Sequence, residues 1–228
     1  MNPSIDVWRD AILFIIALVL SVTVHEFGHA WAASRLGDSV PRAQGRLTLN
    51  PLRHIDPMGT LLFPLLMTVW HIPILGWGRP VSTNPSNYTR RLSRPTGSML
   101  VALAGPAMNL VMAALVSVII VVGRRLGYMD VDTAMALVKY LIALNLTLLF
   151  FNLLPIPPLD GGAVLAWVLP RSMQGAVEFL GRWGFLILLG LMMTPVLGWA
   201  MAPGYYIARM WIAAVLGASN VDLGAAGA

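Results

Sequence analysis

Cysteine is absent from the 228-residue chain. Neither a disulfide framework nor a thiolate zinc site can form, and the redox state of the compartment leaves no trace. Charge is scarce as well: charged residues make up 11% of the chain, against roughly 25% in a soluble domain. Neither an internal repeat nor a low-complexity linker can be found, and no appended soluble domain is expected. The net charge of +5 is almost entirely arginine, and no basic patch interleaved with aromatics accompanies it, so nucleic acid is not an expected partner. Basic residues in such a chain set membrane topology instead. What fills the sequence is apolar: 57% hydrophobic residues and a mean hydropathy of +0.74. Several uncharged runs reach the roughly 20 residues needed to cross a bilayer. The expected fold is an all-α polytopic membrane protein, with the lipid bilayer as its solvent.

About five to six hydrophobic segments can be placed. The first covers about 11–34. The leader MNPSIDVWRD sets Asp6 and Asp10 against Arg9, and a polar HEFGH interrupts the approach to Ala30-Trp31-Ala32, so cleavage as a signal peptide is not expected. Residues 35–57 are polar, with short alternating pieces such as RLTLN that suit short strands or a hairpin at the membrane surface. Residues 58–75 are apolar but broken by Pro64 and Pro73. Spans follow at 98–122 and 133–154, then a short helix at 163–169, a span at 183–202 interrupted by Pro195, and a last span or interfacial helix at 205–216. Eight arginines fall between Arg35 and Arg94. The positive-inside rule places all of them in the cytoplasm if 58–75 dips into the membrane and returns; a full crossing is the alternative. Segment one and the span at 133–154 then end on the same side.

The chemistry concentrates in SVTVHEFGHAW, residues 21–31. His25 and His29 are four apart and share one helix face, the spacing with which two imidazoles grip one zinc ion. Glu26 beside them can hold and deprotonate a water polarised by that ion. Catalytic zinc takes a third protein ligand. Asp160, in NLLPIPPLDGG, is favoured: Pro155, Pro157 and Pro158 stop the preceding span, and the carboxylate follows on an extended strip. The plainer reading makes Asp160 a turn-former. Asn152, eight residues earlier, can hydrogen-bond a substrate backbone or a developing oxyanion, or else tie two helices together. Asn109 fits a structural or supporting role, and Gly28 permits close approach of another backbone. His54 is expected at the surface, with an acid or a substrate-loop contact as alternatives. His71 has less support, and the tryptophans mark interfaces.

HEFGH in a span, the AGPAMN span, and NLLPIPPLDGG, in that order and spacing, resemble the site-2 protease family of intramembrane zinc metalloproteases. NPLRHIDPMGT and GWGRPV are similar to its compact bacterial branch, which lacks an added PDZ or CBS domain. The resemblance implies one Zn2+ per chain held by His25, His29 and Asp160, with Glu26 as general base and Asn152 near the substrate backbone. It implies a substrate that is a transmembrane protein or peptide, unwound near the site and cut within or near the membrane. A strand-like loop at about 42–50 is a candidate to pair with that peptide. The expected organisation is one membrane-embedded domain over 1–228: a catalytic core at about 11–162 with no span before HEFGH, then membrane segments at about 163–217. It would sit in the bacterial inner membrane, multi-pass, with the active site toward the cytoplasm. The runner-up is a metal or proton transporter lined by the same His/Glu/Asp cluster; the missing repeat argues against it. A non-catalytic binder of membrane segments is a third option, opposed by the intact Glu26.

Overall fold

A computed structural model describes residues 4–70, 76–89 and 91–220. Every element among them is helical. Helix α1 (Ile5–Arg35) carries the HEFGH motif unbroken and ends at Leu36, where Gly37 takes a φ of +104° that side chains rarely adopt. A short α2 (Val40–Ala43) follows. A π-turn at Pro57–Leu62 leads into α3 (Phe63–Trp70). The long α4 (Arg94–Arg125) starts with Ser93 accepting the Thr96 N–H and Pro95 in its first turn. Helix α5 (Val131–Leu137), a π-turn at Val138–Ile142 and α6 (Ala143–Asn152) form one apolar rod. Then come α7 (Asp160–Val168), α8 (Gln174–Met192) and α9 (Val196–Ala218).

Four helical stretches are long and apolar enough to cross a membrane: Ile5–Arg35, Arg94–Arg125, Val131–Asn152 and Gln174–Met192. The first three build the core. Residues advancing along α1 meet residues receding along α4, as in the pairs Ser21–Asn109 and His29–Val101, so these helices are antiparallel. The pairs Asp10–Lys139 and Ser21–Asn145 advance together, so α5–α6 runs parallel to α1. Segment one and the span carrying Asn152 therefore end on the same side, as expected. Between spans there is little hydrophobic drive, and small residues allow the backbones to close up. Gly28 does this: a Cβ there would lie 2.9 Å from the Ala104 carbonyl carbon and nearer still to its oxygen. Toward the opposite end of α4, Ala113, Val116 and Ile120 pack with Ile142 and Leu146 and with Val215 and Leu216 of α9.

Three expectations change. Residues 35–57 hold α2, a 3-10 turn at Pro51–Arg53 and irregular chain, with no strand among the described residues; Thr48 O is already taken by His54 Nε2 at 2.8 Å. The span anticipated at 183–202 is split, because Pro195 ends α8 at Met192 and caps α9; the stretch 205–216 is then the second half of α9. His54 is not a surface residue but fully buried, 0% exposed. Its polar surroundings disguised a buried role: its carbonyl accepts the Arg79 N–H at 2.9 Å, tying two loops together.

The apolar segment after Asp56 turns back. Trp77 N–H donates to Gly59 O at 3.1 Å, and Thr60 Oγ1 donates to Trp77 O at 2.8 Å. The chain is thus beside Gly59 again by Trp77, which is the geometry of a re-entrant segment. His71, Pro73 and Leu75 lie outside the described residues. Asp38 anchors the loop beyond. Burial opposes its ionisation, but N–H donors from Asn84, Asn87 and Val40 outweigh this and hold its carboxyl below the ordinary range.

Candidate metal and catalytic site

Residues from three core helices and two loops line one cavity of about 700 Å³ at the shared end of the core. His25 and Glu26 are buried and His29 is half-buried. Asp160 opens α7, placed there by a folded strip that crowds itself: a Cβ on Gly161 would lie 2.6 Å from the Leu153 carbonyl carbon, so only glycine fits. The structure brings His25, His29 and Asp160 together, with one ligand atom from each within 4.8 Å of the others. Glu26 and Asn152 line the same cavity.

The donor set fits zinc. His29 Nδ1 lies 2.8 Å from Val101 O, a carbonyl that can only accept, so Nδ1 carries a proton and the neutral ring offers its Nε2 lone pair to a metal. His25 Nδ1 lies 2.6 Å from Asn109 Oδ1, which leaves its Nε2 bare as well. The two Nε2 atoms nevertheless face each other at 3.0 Å. Asp160 Oδ2 approaches His25 Nε2 at 3.2 Å and Oδ1 approaches His29 Nε2 at 3.4 Å. Asp160 Oδ2 is buried without a hydrogen-bond partner among the described residues, which leaves it open to a metal ion. Two imidazole nitrogens and a carboxylate thus converge on one point, a donor set suited to a zinc ion. Ligands held about 2.1 Å from a tetrahedral ion lie about 3.4 Å apart, close to the separations observed. Both histidines are oriented through their other ring nitrogen, as metal-bound imidazoles are.

Glu26 Oε2 accepts the Val81 N–H at 3.0 Å. Asn152 Nδ2 donates to Leu148 O in its own helix at 2.9 Å, which uses one of its two protons and leaves one for a ligand. Sequence reasoning took Gly105 only as part of a small-residue face for helix contact, and it missed the wall after Gly76. A Cβ on Gly105 would lie 2.8 Å from His25 Cε1 and closer still to His29 Cε1 and Nε2. The small-residue run in AGPAMN was the available signal. The wall, Gly76–Thr83, runs along the cavity in the neighbourhood of Glu26. Its alternate N–H groups, on Trp77, Arg79 and Val81, pair with Gly59 O, His54 O and Glu26, the period-two habit of extended chain.

Comparison with known proteins shows the family. The sequence profile of Peptidase family M50 matches residues 13–125 and 128–191. "Putative zinc metalloprotease YwhC" of Bacillus subtilis is 34% identical over 195 residues, covering 83% of this chain and 84% of the relative. "Putative zinc metalloprotease Rip2" of Mycolicibacterium smegmatis is 38% identical over 188 residues, covering 82% and 68%. The protein of the same name from Mycobacterium tuberculosis H37Rv is 35% identical over 199 residues, covering 86% and 73%. No solved structure matches at a significant level. With its apolar helices and its His-His-Asp cluster, the chain belongs to Peptidase family M50 and is an integral-membrane zinc metalloprotease of the site-2 protease type.

Proposed function

We propose that the protein is an endopeptidase for membrane-protein substrates, hydrolysing peptide bonds within or near their transmembrane segments. His25, His29 and Asp160 would hold the zinc ion. Zinc, when bound, polarises the scissile carbonyl and lowers the pKa of water. Glu26 is the general base. Its Oε2 is held by the Val81 N–H, which orients the carboxylate to take a proton from the attacking water and pass it to the leaving amine. The spare amide proton of Asn152 serves the substrate carbonyl or backbone.

A helical substrate hides its carbonyls in its own hydrogen bonds and must open before water can reach them. The wall at Gly76–Thr83 offers a template for the opened chain. One edge is paired to the body of the protein, whereas the backbone groups of Gly78, Pro80 and Ser82 have no partner among the described residues. An extended peptide can add along such an edge. This wall replaces the loop at 42–50 as the pairing surface. We assign the whole of 1–228 to one membrane-embedded domain, with the arginine-rich loops and the site toward the cytoplasm of a bacterial inner membrane.

The observation that carries this reading is the convergence of His25, His29 and Asp160 on one point, with Glu26 and Asn152 lining the same cavity. The test is cleavage of a panel of single-span membrane peptides by detergent-purified parent and Glu26→Gln, with zinc measured in both. Cleavage by the parent alone, with about one zinc per chain in each, is expected. Equal cleavage by the variant would remove Glu26 from the chemistry.

A further inference from the structure

His25 Nδ1 is the end of a chain of buried polar groups that leads away from the cavity. Ser21, Asn109 and Asn145 are each 0% exposed, in a part of the molecule where polar groups have no water to fall back on. Each link has a direction. Ser21 Oγ donates to Ala17 O at 2.7 Å, so the hydroxyl proton is committed and only lone pairs remain. Asn145 Nδ2 donates to Ser21 Oγ and to Leu141 O, both at 2.9 Å. Both amide protons are then spent, and Asn145 Oδ1 is turned toward Asn109. Asn109 Nδ2 donates to that oxygen at 2.8 Å and to Ser21 O at 3.3 Å. This leaves Asn109 Oδ1 facing His25 Nδ1 at 2.6 Å. Flipping Asn145 would set its oxygen against Leu141 O; flipping Asn109 would set its oxygen against Ser21 O and Asn145 Oδ1. The polarity of the chain therefore originates at two main-chain carbonyls, Ala17 O and Leu141 O, which already sit in helices and cannot turn.

We infer that Asn145, supported by Ser21, is a positioning residue: an amide relay that holds His25 in the Nδ1–H tautomer and presents its Nε2 lone pair to the metal. This rests on the reading of His25 as a zinc ligand. The relay does with neutral groups what a carboxylate behind a metal-bound histidine does elsewhere. A carboxylate would add another charge among the spans, where charge is costly. The direction is carried instead by amides whose donors and acceptors are all satisfied, as a buried network requires. His29 needs no such chain because a main-chain carbonyl, Val101 O, meets its Nδ1 directly.

Two near-isosteric substitutions separate orientation from packing. Asn145→Asp keeps an acceptor for Asn109 Nδ2; its carboxyl, neutral among the spans, donates its O–H to Leu141 O in place of Nδ2, and Ser21 can turn its hydroxyl toward the new oxygen. Asn145→Leu removes the acceptor. The full-length parent, both variants, His25→Ala, Asn109→Leu and the double variant Asn109→Leu/Asn145→Leu are compared. The readouts are zinc dissociation constant by chelator competition, the visible spectrum of the Co2+ form, and the unfolding temperature of the metal-free protein. The parent should bind zinc and His25→Ala should lose it. Asn145→Leu should weaken zinc binding about 10–100-fold, the range for losing an outer hydrogen-bond partner, and shift the cobalt bands. Asn145→Asp should bind close to parental. The double variant should bind no more weakly than Asn109→Leu, because both act through one relay. Parental affinity in a folded Asn145→Leu would overturn the relay, as would equal weakening by Asp and Leu. Should Asn145→Leu fail to fold, Ser21→Ala decides: several-fold weaker zinc binding supports the relay and unchanged binding overturns it. Equal zinc binding by the parent and His25→Ala would overturn the ligand assignment itself, and the relay with it.

Discussion

Gly105→Ala adds one methyl group where the two histidines have no room for it. The new Cβ would lie 2.8 Å from His25 Cε1 and nearer to His29 Cε1 and Nε2. Ordinary contact begins at 3.4 Å, so the His25 ring must retreat by about 0.6 Å and the His29 ring by more. Neither can do so freely, since Asn109 and Val101 hold their Nδ1 atoms. Metal sites tolerate about 0.2 Å in ligand distance, and a misplacement of about 1 Å costs on the order of 10²-fold in rate. Zinc affinity should therefore fall at least 10–100-fold and peptide cleavage at least 10²-fold. Global stability should fall by no more than about 2 kcal/mol. Overpacking costs about 1–3 kcal/mol, but alanine regains about 1 kcal/mol over glycine within a helix. The assay is zinc content after dialysis against a weak chelator, with cleavage and thermal unfolding on the same preparation. Gly190→Ala, with nothing within 4 Å of its Cβ, is the control. A folded Gly105→Ala that keeps parental zinc and cleavage would refute the packing argument and the histidine positions on which it stands.

Other perturbations test other parts of the site. Val81→Pro deletes the single N–H that holds Glu26 Oε2; cleavage should drop roughly tenfold or more while zinc content stays parental. Gly161→Ala sets a Cβ 2.6 Å from the Leu153 carbonyl carbon; backbone cannot yield as a side chain can, so Asp160 should be displaced and zinc lost, read by metal analysis. Asp38→Asn should lower stability by about 2 kcal/mol at neutral pH, because three N–H donors lose a charged acceptor. The native carboxyl lies below its reference value of 3.8, so its contribution is complete above that pH and disappears as pH falls through the native value. The gap in unfolding temperature between the parent and Asp38→Asn should close on the acid side and stay constant above about pH 5.

Much of the site was legible in the chain because its chemistry is local. Histidines four apart on a helix share a face whatever surrounds them, and three prolines end a span wherever they fall. The spans themselves follow from length and hydropathy, and two of the first three were placed within a few residues. Other features depend on which backbone comes near which. Nothing in GWGRPV says that its alternate N–H groups will find Gly59, His54 and Glu26. His54 looked like a surface residue because Arg53 and Asp56 stand near it in sequence, yet it is buried, with Thr48 O against its Nε2 and the Arg79 N–H on its carbonyl. Gly105 reads as one more small residue for helix contact until the two imidazoles arrive opposite it. Asn145 is a lone polar residue in an apolar run, and only its bonds to Ser21, Asn109 and Leu141 reveal a direction.

The sequence by itself determined that this is a helical membrane protein with two histidines on one face of a span and a carboxylate beyond the proline-rich end of another, since composition, period and chain-breaking residues act over a few residues. The tertiary structure alone decided how these groups are held. Hydrogen-bond polarity, the space left by a missing Cβ and the alternate pairing of the wall at Gly76–Thr83 are properties of pairs of segments far apart in the chain, and they exist only once those segments lie side by side.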